Sequence, residues 1–512
     1  MSDKKPKLFI HGCYIGTTGF NNHTRDFFRE ISKSYKVKVR NFTVGKHWKG
    51  LEDEPFNKED YLLPSDKILL DTQTYFGENH SLHNFPIYKN HTNIFNHDLN
   101  IILAEVNHHF FYQDYEGPKI GYTVWETTRY PDYFFDKLKE YDQLWVPSEW
   151  QKQCNIEQGM SEDMIKVIPE AVDSKTFHPN PEANLPEYKD DRFKFIHFGR
   201  WDYRKSTKEI IEAFLEEFGE DEPIDLVLSI DNRFAKDGLK NTEKRLEHYG
   251  ISDPRLKVKH FPSREDYVQY LQKGHVFLSC ARSEGWNLPL IEAMACGTPS
   301  IYSNCSAQLQ FAKGKGLPVK ITGKKPAIMG EYSTYSQSDM TGEFYTPDYE
   351  DLKIVMRDAY ENYDKHKKQA LKESKEIRDK FTWERAAELA SIEIDNLYSN
   401  IPKNRVEISF NEGPKVQTYG SRNQEYFVEF IDARDNKVIH SSTIKNNMWT
   451  VCSKQYYIPW IIKINGKIEH KFDLTEKLVK ITFDSKSVGD TLAWAPQILE
   501  FQKKHKCKVI AS

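Results

Sequence analysis

From Lys7 to about Leu185, short apolar runs alternate with stretches whose apolar residues recur at helical spacing. Lys7–His11 predicts a strand and Gly12–Gly19 (GCYIGTTG) a Gly-rich turn. Asn22–Ser34 places Phe27, Phe28 and Ile31 on one face and predicts a helix. Ile101–Val106, Ile120–Trp125 and Gln143–Pro147 predict further strands, with a helix over Asp132–Glu140 between the last two. Strands alternating with helices imply a parallel sheet wrapped by helices. Pro179–Asp191 (PNPEANLPEYKDD), with three prolines and four acidic residues, reads as an exposed connection. A second series follows it: strand Phe193–Phe198, helix Thr207–Phe218, strand Asp225–Ile230, helix Arg264–Lys273, strand Val276–Cys280, helix Pro289–Cys296 and strand Pro299–Ser303. Tyr349–Asn400 keeps a helical pattern, broken near Phe381–Trp383.

After Pro402 the period changes to two. VEISF, YFVEFID, KVIHSSTI, WTVC, YYIPWIIKI and KIEHKFD follow one another with Gly, Asn and Asp between them, the pattern of an antiparallel sandwich or barrel. Trp449, Tyr456, Tyr457 and Trp460 fall at alternating strand positions, which favours core packing over an exposed glycan or protein contact. The pattern then reverts: strand Lys480–Asp484, turn Ser487–Asp490, helix Leu492–His505, strand Lys508–Ile510. One βαβ unit cannot close a doubly wound sheet. It is either the opening of a domain that continues beyond this chain or a unit packed on the sandwich, and the pattern leaves both open.

Composition narrows the function classes. At roughly 150 residues per domain, 512 residues predict about three domains. With 72 Lys and Arg against 76 Asp and Glu, the net charge of −4 offers no bulk attraction to nucleic acid. No apolar run approaches the ~18 residues of a membrane span. The start, MSDKKPKLFIHG, reaches only LFI before polar residues return, so it reads as a first strand and not a secretory signal. The expected location is the cytoplasm. The seven cysteines (Cys13, Cys154, Cys280, Cys296, Cys305, Cys452, Cys507) form no CxxC pair and predict reduced thiols.

Chemistry concentrates in Ser283–Thr298, SEGWNLPLIEAMACGT. Seven residues separate Glu284 from Glu292. Pro289 suits the first turn of a helix and Gly297 its end. That helix directs free amides and a positive dipole end into whatever the preceding loop borders, a ready place for a phosphate or diphosphate. Glu292, one turn in, still reaches the same pocket, where a carboxylate serves hydroxyl groups. Earlier, Phe198–Ser206 (FGRWDYRKS) brings Gly199 and Arg200 to the carboxyl end of a strand, with Lys205 at the next helix. Two cations there can hold a diphosphate, Arg as a fork and Lys as a point charge. Alone, an Arg at a strand end is more often structural, and a Glu pair at a helix start is usually a solvated face. Their order within one αβ lobe argues against chance.

Gly199-Arg200 with Lys205, then Glu284-Gly-Trp-Asn-Leu-Pro and Glu292-Ala-Met-Ala-Cys-Gly-Thr-Pro299, resembles family 4 of the retaining glycosyltransferases. VPSEWQKQ and VIPEAVD (146–173) and FTWERAA (381–387) extend the resemblance over roughly residues 1–400. It implies the α/β GT-B fold: an acceptor-side Rossmann-like lobe over 1–178, a donor-side lobe over 192–380, and a helix over 381–400 crossing back to the first. By position, Arg200 and Lys205 would hold the donor diphosphate and Glu284 the hydroxyls of the transferred sugar. Glu292 would bind the ribose, and the backbone of Gly285, Trp286, Asn287 and Leu288 would border sugar and phosphate. Gly19 would let the first turn approach the phosphate side. Asn287 and Ser206 depart from the glycines common in the family; the first would alter donor-sugar choice, the second only the helix start. Glu126 stands where the family often has His, and is assigned to the acceptor side with a structural role as the alternative.

The resemblance implies a nucleotide-diphosphate sugar as donor and a glycan, lipid-linked or protein acceptor, with no cofactor. No Asp-x-Asp stands at a convincing strand end, so metal independence is expected. Peripheral membrane contact occurs in the family, but no segment here shows a strong basic face. Residues 405–512, notably GPKVQTYG, EYFVEFID and VGDTLAWAPQILEFQKKHKCKVIAS, resemble the front portion of the bacterial autotransporter heptosyltransferases. That implies a β-rich module over 405–475 and, over 478–512, an incomplete βαβ unit that would continue into a second glycosyltransferase domain. The rival readings are a nucleotide-sugar epimerase on the same fold and a non-catalytic scaffold that senses nucleotide sugar.

Overall fold

The computed structural model describes residues 5–14, 18–41, 98–106, 109, 118–183, 192–232, 235, 237–327, 342–400, 404–410, 413–420, 425–445, 447–452, 458–471, 474–481 and 488–511. The chain divides into two compact units, Met1–Ser399 and Asn400–Ser512.

The first unit holds two parallel sheets. Strand β1 (Lys7–Gly12) is apolar in its middle and buried, as a strand covered on both faces must be. It lies in the order β2-β1-β3-β4-β5-β6 with β2 (Lys36–Asn41), β3 (Leu99–Leu103), β4 (Lys119–Tyr122), β5 (Gln143–Val146) and β6 (Ile165–Val167). Helix α1 (Gly19–Ile31) starts three residues before the predicted Asn22, because the Thr18 side chain caps it and Asn21 answers the Thr18 amide in a capping box. Helices α2 (Asp132–Leu138) and α3 (Glu149–Glu157) follow β4 and β5. Strand β2, KVKVRN, is not marked by the pattern, since its lysines hide the alternation of Val37 and Val39.

The second sheet runs β12-β11-β10-β7-β8-β9. Its strands are β7 (Phe193–Phe198), β8 (Ile224–Ser229), β9 (Leu256–Val258), β10 (Val276–Ser279), β11 (Ser300–Ser303) and β12 (Leu317–Val319). Between them lie α4 (Thr207–Glu217), α5 (Thr242–His248), α6 (Arg264–Lys273), α7 (Leu288–Ala295) and the single turn α8 (Leu309–Ala312). The strand order reverses between β1 and β3 in one lobe and between β7 and β10 in the other, and ligands of such sheets bind beyond the carboxyl ends of strands at that reversal. An antiparallel pair, β13 (Ile321–Pro326) and β14 (Glu343–Pro347), is absent from the predicted pattern.

The long helical stretch is three helices: α9 (Tyr349–Glu361), α10 (Tyr363–Lys380) and α11 (Trp383–Asn400). The second break falls at the predicted place, and α11 returns to the first lobe. Its Trp383, Ala386, Ala387, Ala390 and Ile394 share a core with Leu8, Phe27, Tyr122 and Trp145. No helix among the described residues is long and apolar enough to cross a membrane.

In the second unit, β15 (Asn404–Ser409), β16 (Lys415–Gly420) and β19 (Trp449–Val451) form one antiparallel sheet. Strands β17 (Glu425–Asp432), β18 (Lys437–Lys445), β20 (Trp460–Ile464) and β21 (Lys467–Lys471) form a second. Val416 of the first sheet and Tyr426, Val428, Phe430, Ile444, Trp460, Ile462 and Ile464 of the other make one core, as a sandwich requires. The terminal βαβ consists of β22 (Leu478–Ile481), helix α12 (Val488–His505) and β23 (Lys508–Ala511), with β22 and β23 parallel. The helix thus takes in Val488–Asp490, predicted as part of a turn.

The expected aromatic core is corrected in part. Trp460 is 3% exposed, whereas Trp449 is 57% exposed on the edge strand β19, with the Lys415 ammonium over its ring at 5.4 Å. Alternation marks a face without saying which face is covered. Tyr456 and Tyr457 lie outside the described residues. Trp460→Ala should cost about 3–5 kcal/mol of this unit's stability. Trp449→Ala should stay within about 0.5 kcal/mol. Denaturant unfolding of the two variants checks the contrast.

Candidate active site between the two lobes

Strands β7 and β10 lie side by side at the reversal, and each sends one loop into the cleft. The β7 loop leaves through Gly199, whose φ of 151° suits glycine, and turns so that the Lys205 amide donates to Asp202 Oδ1 at 2.8 Å. The β10 loop is tied to it. The Arg282 amide donates to the Arg204 carbonyl at 2.7 Å, and the Arg282 guanidinium lies over the Tyr203 ring at 4.0 Å. Both loops enter helices through a left-handed residue. Ser206 (φ 53°) precedes α4, and Asn287 (φ 86°) precedes α7. These are the two positions where this sequence departs from the glycines common in the resembled family, and a left-handed backbone is one that glycine adopts without strain. The Asn287 side chain is turned down into the lobe, donating from Nδ2 to Ser279 Oγ and Gln308 Oε1, both at 2.8 Å.

The loops bring together an alternating chain of charges. Lys205 Nζ stands 2.6 Å from Glu284 Oε1, and Arg204 Nη1 stands 2.8 Å from Glu284 Oε2. Arg204 also reaches out of its own lobe, with Nη2 2.9 Å from Glu126 Oε1, just beyond β4. The side chain of Glu284 is 4% exposed, that of Arg204 7% and that of Glu126 30%. Burial raises the Glu284 carboxyl, but Arg204 and Lys205 outweigh it and hold the group below the ordinary range. Burial raises Glu126, with Arg204 opposing and Glu284 adding to the rise. Arg200 looks across the same cleft, its charge acting on Glu105, beyond β3, and on Glu126.

The lobes are in close contact around this chain. A Cβ on Gly285 would stand 2.3 Å from Val124 Cγ1 and 3.1 Å from the Trp125 carbonyl oxygen. A Cβ on Gly19 would stand 3.4 Å from Leu288 Cδ1, so the starts of α1 and α7 meet across the cleft. Two helix N-termini facing one gap favour an anion between them. Trp286 contributes backbone only, because its ring is buried in the second lobe 5.1 Å from Phe311 and 6.0 Å from Phe381. Glu292 is apart from the charge chain, on α7, and accepts a 2.5 Å hydrogen bond from the Tyr267 hydroxyl. Burial pushes it up to about 7, against Tyr267 and Arg264.

Sequence reasoning missed Arg204, which reads there as the neighbour of Lys205, and a buried pair in the first lobe. His23 Nδ1 lies 3.6 Å from Glu170 Oε2. Burial, aided by the Glu284 charge, pushes Glu170 up to about 8, and burial pushes His23 down to about 3. Both are therefore largely neutral at neutral pH. Glu170 falls inside VIPEAVD, a motif that signals the loop but not its protonation. Among the described residues, Asp231, Glu243 and His260 have atoms spaced for a metal ion. They are exposed, and both His260 nitrogens already face carboxylates, Nδ1 at 3.2 Å from Asp231 and Nε2 at 2.9 Å from Glu243.

Comparison with known proteins bears on the fold. Residues 183–315, most of the second lobe, match the family described as Glycosyl transferases group 1. An autotransporter heptosyltransferase of Citrobacter rodentium is 27% identical over 106 residues, 20% of this chain and 25% of its own length. A putative glycosyltransferase of Acidianus filamentous virus 1 is 27% identical over 115 residues, 21% of this chain and 37% of its own. The chain thus matches about a quarter to a third of the length of these relatives. Among solved structures, sucrose-phosphate synthase from Thermosynechococcus elongatus superposes with a TM-score of 0.56 and 17% identity, over 77% of this chain and 100% of its own. The Anabaena protein HepE, in complex with UDP and glucose, gives 0.54 and 15%, over 76% and 100%. The two lobes have the GT-B fold of these proteins, as the sequence led us to expect.

Two outcomes follow from the contacts and the buried carboxyl. Gly285→Ala should force the lobes apart at Val124, raising amide hydrogen exchange at residues 123–126 and 281–287. Glu170 keeps its proton in the fold between 4.5 and about 8, where the unfolded chain has released it. The stability linked to that proton is complete below 4.5 and is lost as pH rises to about 8. In Glu170→Gln the difference between urea midpoints at pH 5 and pH 8 should shrink.

Proposed function

We propose that this chain is a retaining, metal-independent glycosyltransferase of the cytoplasm, moving a sugar from a nucleotide-diphosphate sugar to a glycan, lipid-linked or protein acceptor. The observation that carries the reading is the placement of Arg200, Lys205 and Glu284 on the two adjacent loops at the strand reversal of the second lobe, beside the meeting point of two helix starts. A GT-B frame and a group 1 match over the same lobe support it.

The chemistry follows the charge. As the sugar–phosphate bond breaks, negative charge gathers on the departing diphosphate and positive charge on the anomeric carbon. Arg200, Lys205 and the amides at the starts of α7 and α1 stand ready for the first. Glu284 accepts hydrogen bonds from hydroxyls of the transferred sugar, and Glu292 from those of the ribose. Gly285, Asn287 and Leu288 offer backbone beside sugar and phosphate, and Gly19 keeps the first-lobe side of the gap open to them. Positive charge from side chains and amides does what a metal ion does in other transferases. The closed lobes exclude water and so favour transfer over hydrolysis.

HepE was solved with UDP-glucose, which makes uridine donors the first to try. Nucleoside diphosphate release is measured over a panel of UDP-, GDP- and ADP-sugars without added metal. One donor should turn over slowly, and Arg200→Ala should reduce that rate about 10²–10³-fold, the usual loss for one such donor. Silence across the panel, with no donor-induced thermal stabilisation, would overturn the proposal.

A further inference from the structure

We infer that Arg204 and Glu126 form a latch between the lobes that sets Glu284 for the donor sugar only when the cleft is closed; the inference deepens the donor-site reading above and rests on it. Arg204 is the one residue of the charge chain that touches both lobes. Nη1 serves Glu284 and the Ser283 carbonyl, both at 2.8 Å, while Nη2 serves Glu126 at 2.9 Å. An arginine fork can hold two carboxylates at once in fixed directions, which an ammonium cannot.

Both ends of the latch are braced. On one side the Arg204 carbonyl takes the Arg282 amide, and Arg282 is held in turn by Glu209 at 2.6 Å. On the other, the residue before Glu126 is fixed by three hydrogen bonds: Trp125 N to Gln151 Oε1 at 3.3 Å, and Trp125 Nε1 to Thr127 Oγ1 at 2.7 Å and to the Arg129 carbonyl at 3.0 Å. Gly285, next to Glu284, packs on Val124 and the Trp125 carbonyl, so the ion pair and the closest backbone approach are parts of one interface.

The latch matters because Lys205 has two calls on it. Here it pairs with Glu284, whereas a donor diphosphate would draw it away. Glu284, nearly fully buried, then depends on Arg204 for its remaining partner. Glu126 holds the other end of that guanidinium, and it is within reach only while the lobes are together. Arg204 and Glu126 are thus positioning residues. They act through Glu284, and they make recognition of the sugar conditional on closure.

The test compares wild type with Glu126→Gln, Arg204→Lys and the double variant in two measurements. The first needs no ligand: amide hydrogen exchange at residues 123–126 and 281–287. Both single variants should exchange faster, and the double no faster than Arg204→Lys, because the two substitutions break one interaction. Exchange unchanged in Glu126→Gln would overturn the latch whether or not any nucleotide binds. The second is calorimetric affinity for UDP against UDP-glucose, GDP against GDP-mannose and ADP against ADP-glucose. For the pair that wild type accepts, Glu126→Gln should keep diphosphate affinity within about threefold and cut the extra affinity due to the sugar about tenfold, a common size for such coupling. An undiminished sugar increment, with loss only of transfer to acceptor, would return Glu126 to the acceptor side and overturn the latch. A wild type that binds none of the six probes overturns the donor-site reading instead.

Discussion

Glu284 keeps its charge inside the protein because Arg204 and Lys205 each hold one of its oxygens. Removing one partner of a pair this deep typically costs about 3–5 kcal/mol, so the three side chains fix one another's places. The cations come from the loop after β7 and the carboxylate from the loop after β10, which makes the two loops one body. The ties between Arg282 and both Arg204 and Tyr203 close that body from behind. What faces the cleft is a surface whose positive and negative groups are paired with one another.

The fold was legible where one period runs long enough to be counted. The β7-to-β11 series shows itself through Phe193–Phe198, Val276–Cys280 and the Pro289 and Gly297 punctuation of α7. Strands such as KVKVRN and ITGKKP stay hidden, because two of the six positions in each are lysines, which mask the apolar ones. Glu292 stands apart from the charge chain on Tyr267, whereas of the chain itself Lys205 and Glu284 were legible, through their spacing within one lobe. Arg204 was not, since its meaning lies in Glu126, 78 positions away and in another lobe. Glu170 was not either, because protonation depends on what buries a carboxyl and not on its neighbours in the chain. Trp449 and Trp460 show the same limit, one period placing one indole outside and the other in the core.

Ser206 and Asn287 illustrate a further compromise. Each adopts a left-handed backbone that glycine would accept without strain, and each uses a side chain that glycine lacks. The Ser206 hydroxyl accepts from Tyr349 at 2.9 Å, and the Asn287 amide ties the end of β10 to Gln308. Asn tolerates this conformation through its short polar side chain. The loops that carry Arg204, Lys205 and Glu284 are thereby anchored to α9 and to the lobe beneath them.

The return of α11 to the first lobe has a consequence for synthesis on the ribosome. The core built on β1, α1 and β4 lacks Trp383, Ala386, Ala387, Ala390 and Ile394 until they have been made, about 230 residues after β6. At roughly 5–20 residues per second, that is a wait of about 10–45 seconds. Meanwhile the second lobe can complete the core between its sheet and helices α4 and α9 from its own residues, while the core on its other face waits for Ile377 of α10. The lobe that is translated first is thus the last to be sealed. For most of that interval it presents an open apolar groove where Trp383 will sit, and holding that groove safe from other chains is a task set by the order of the helices alone.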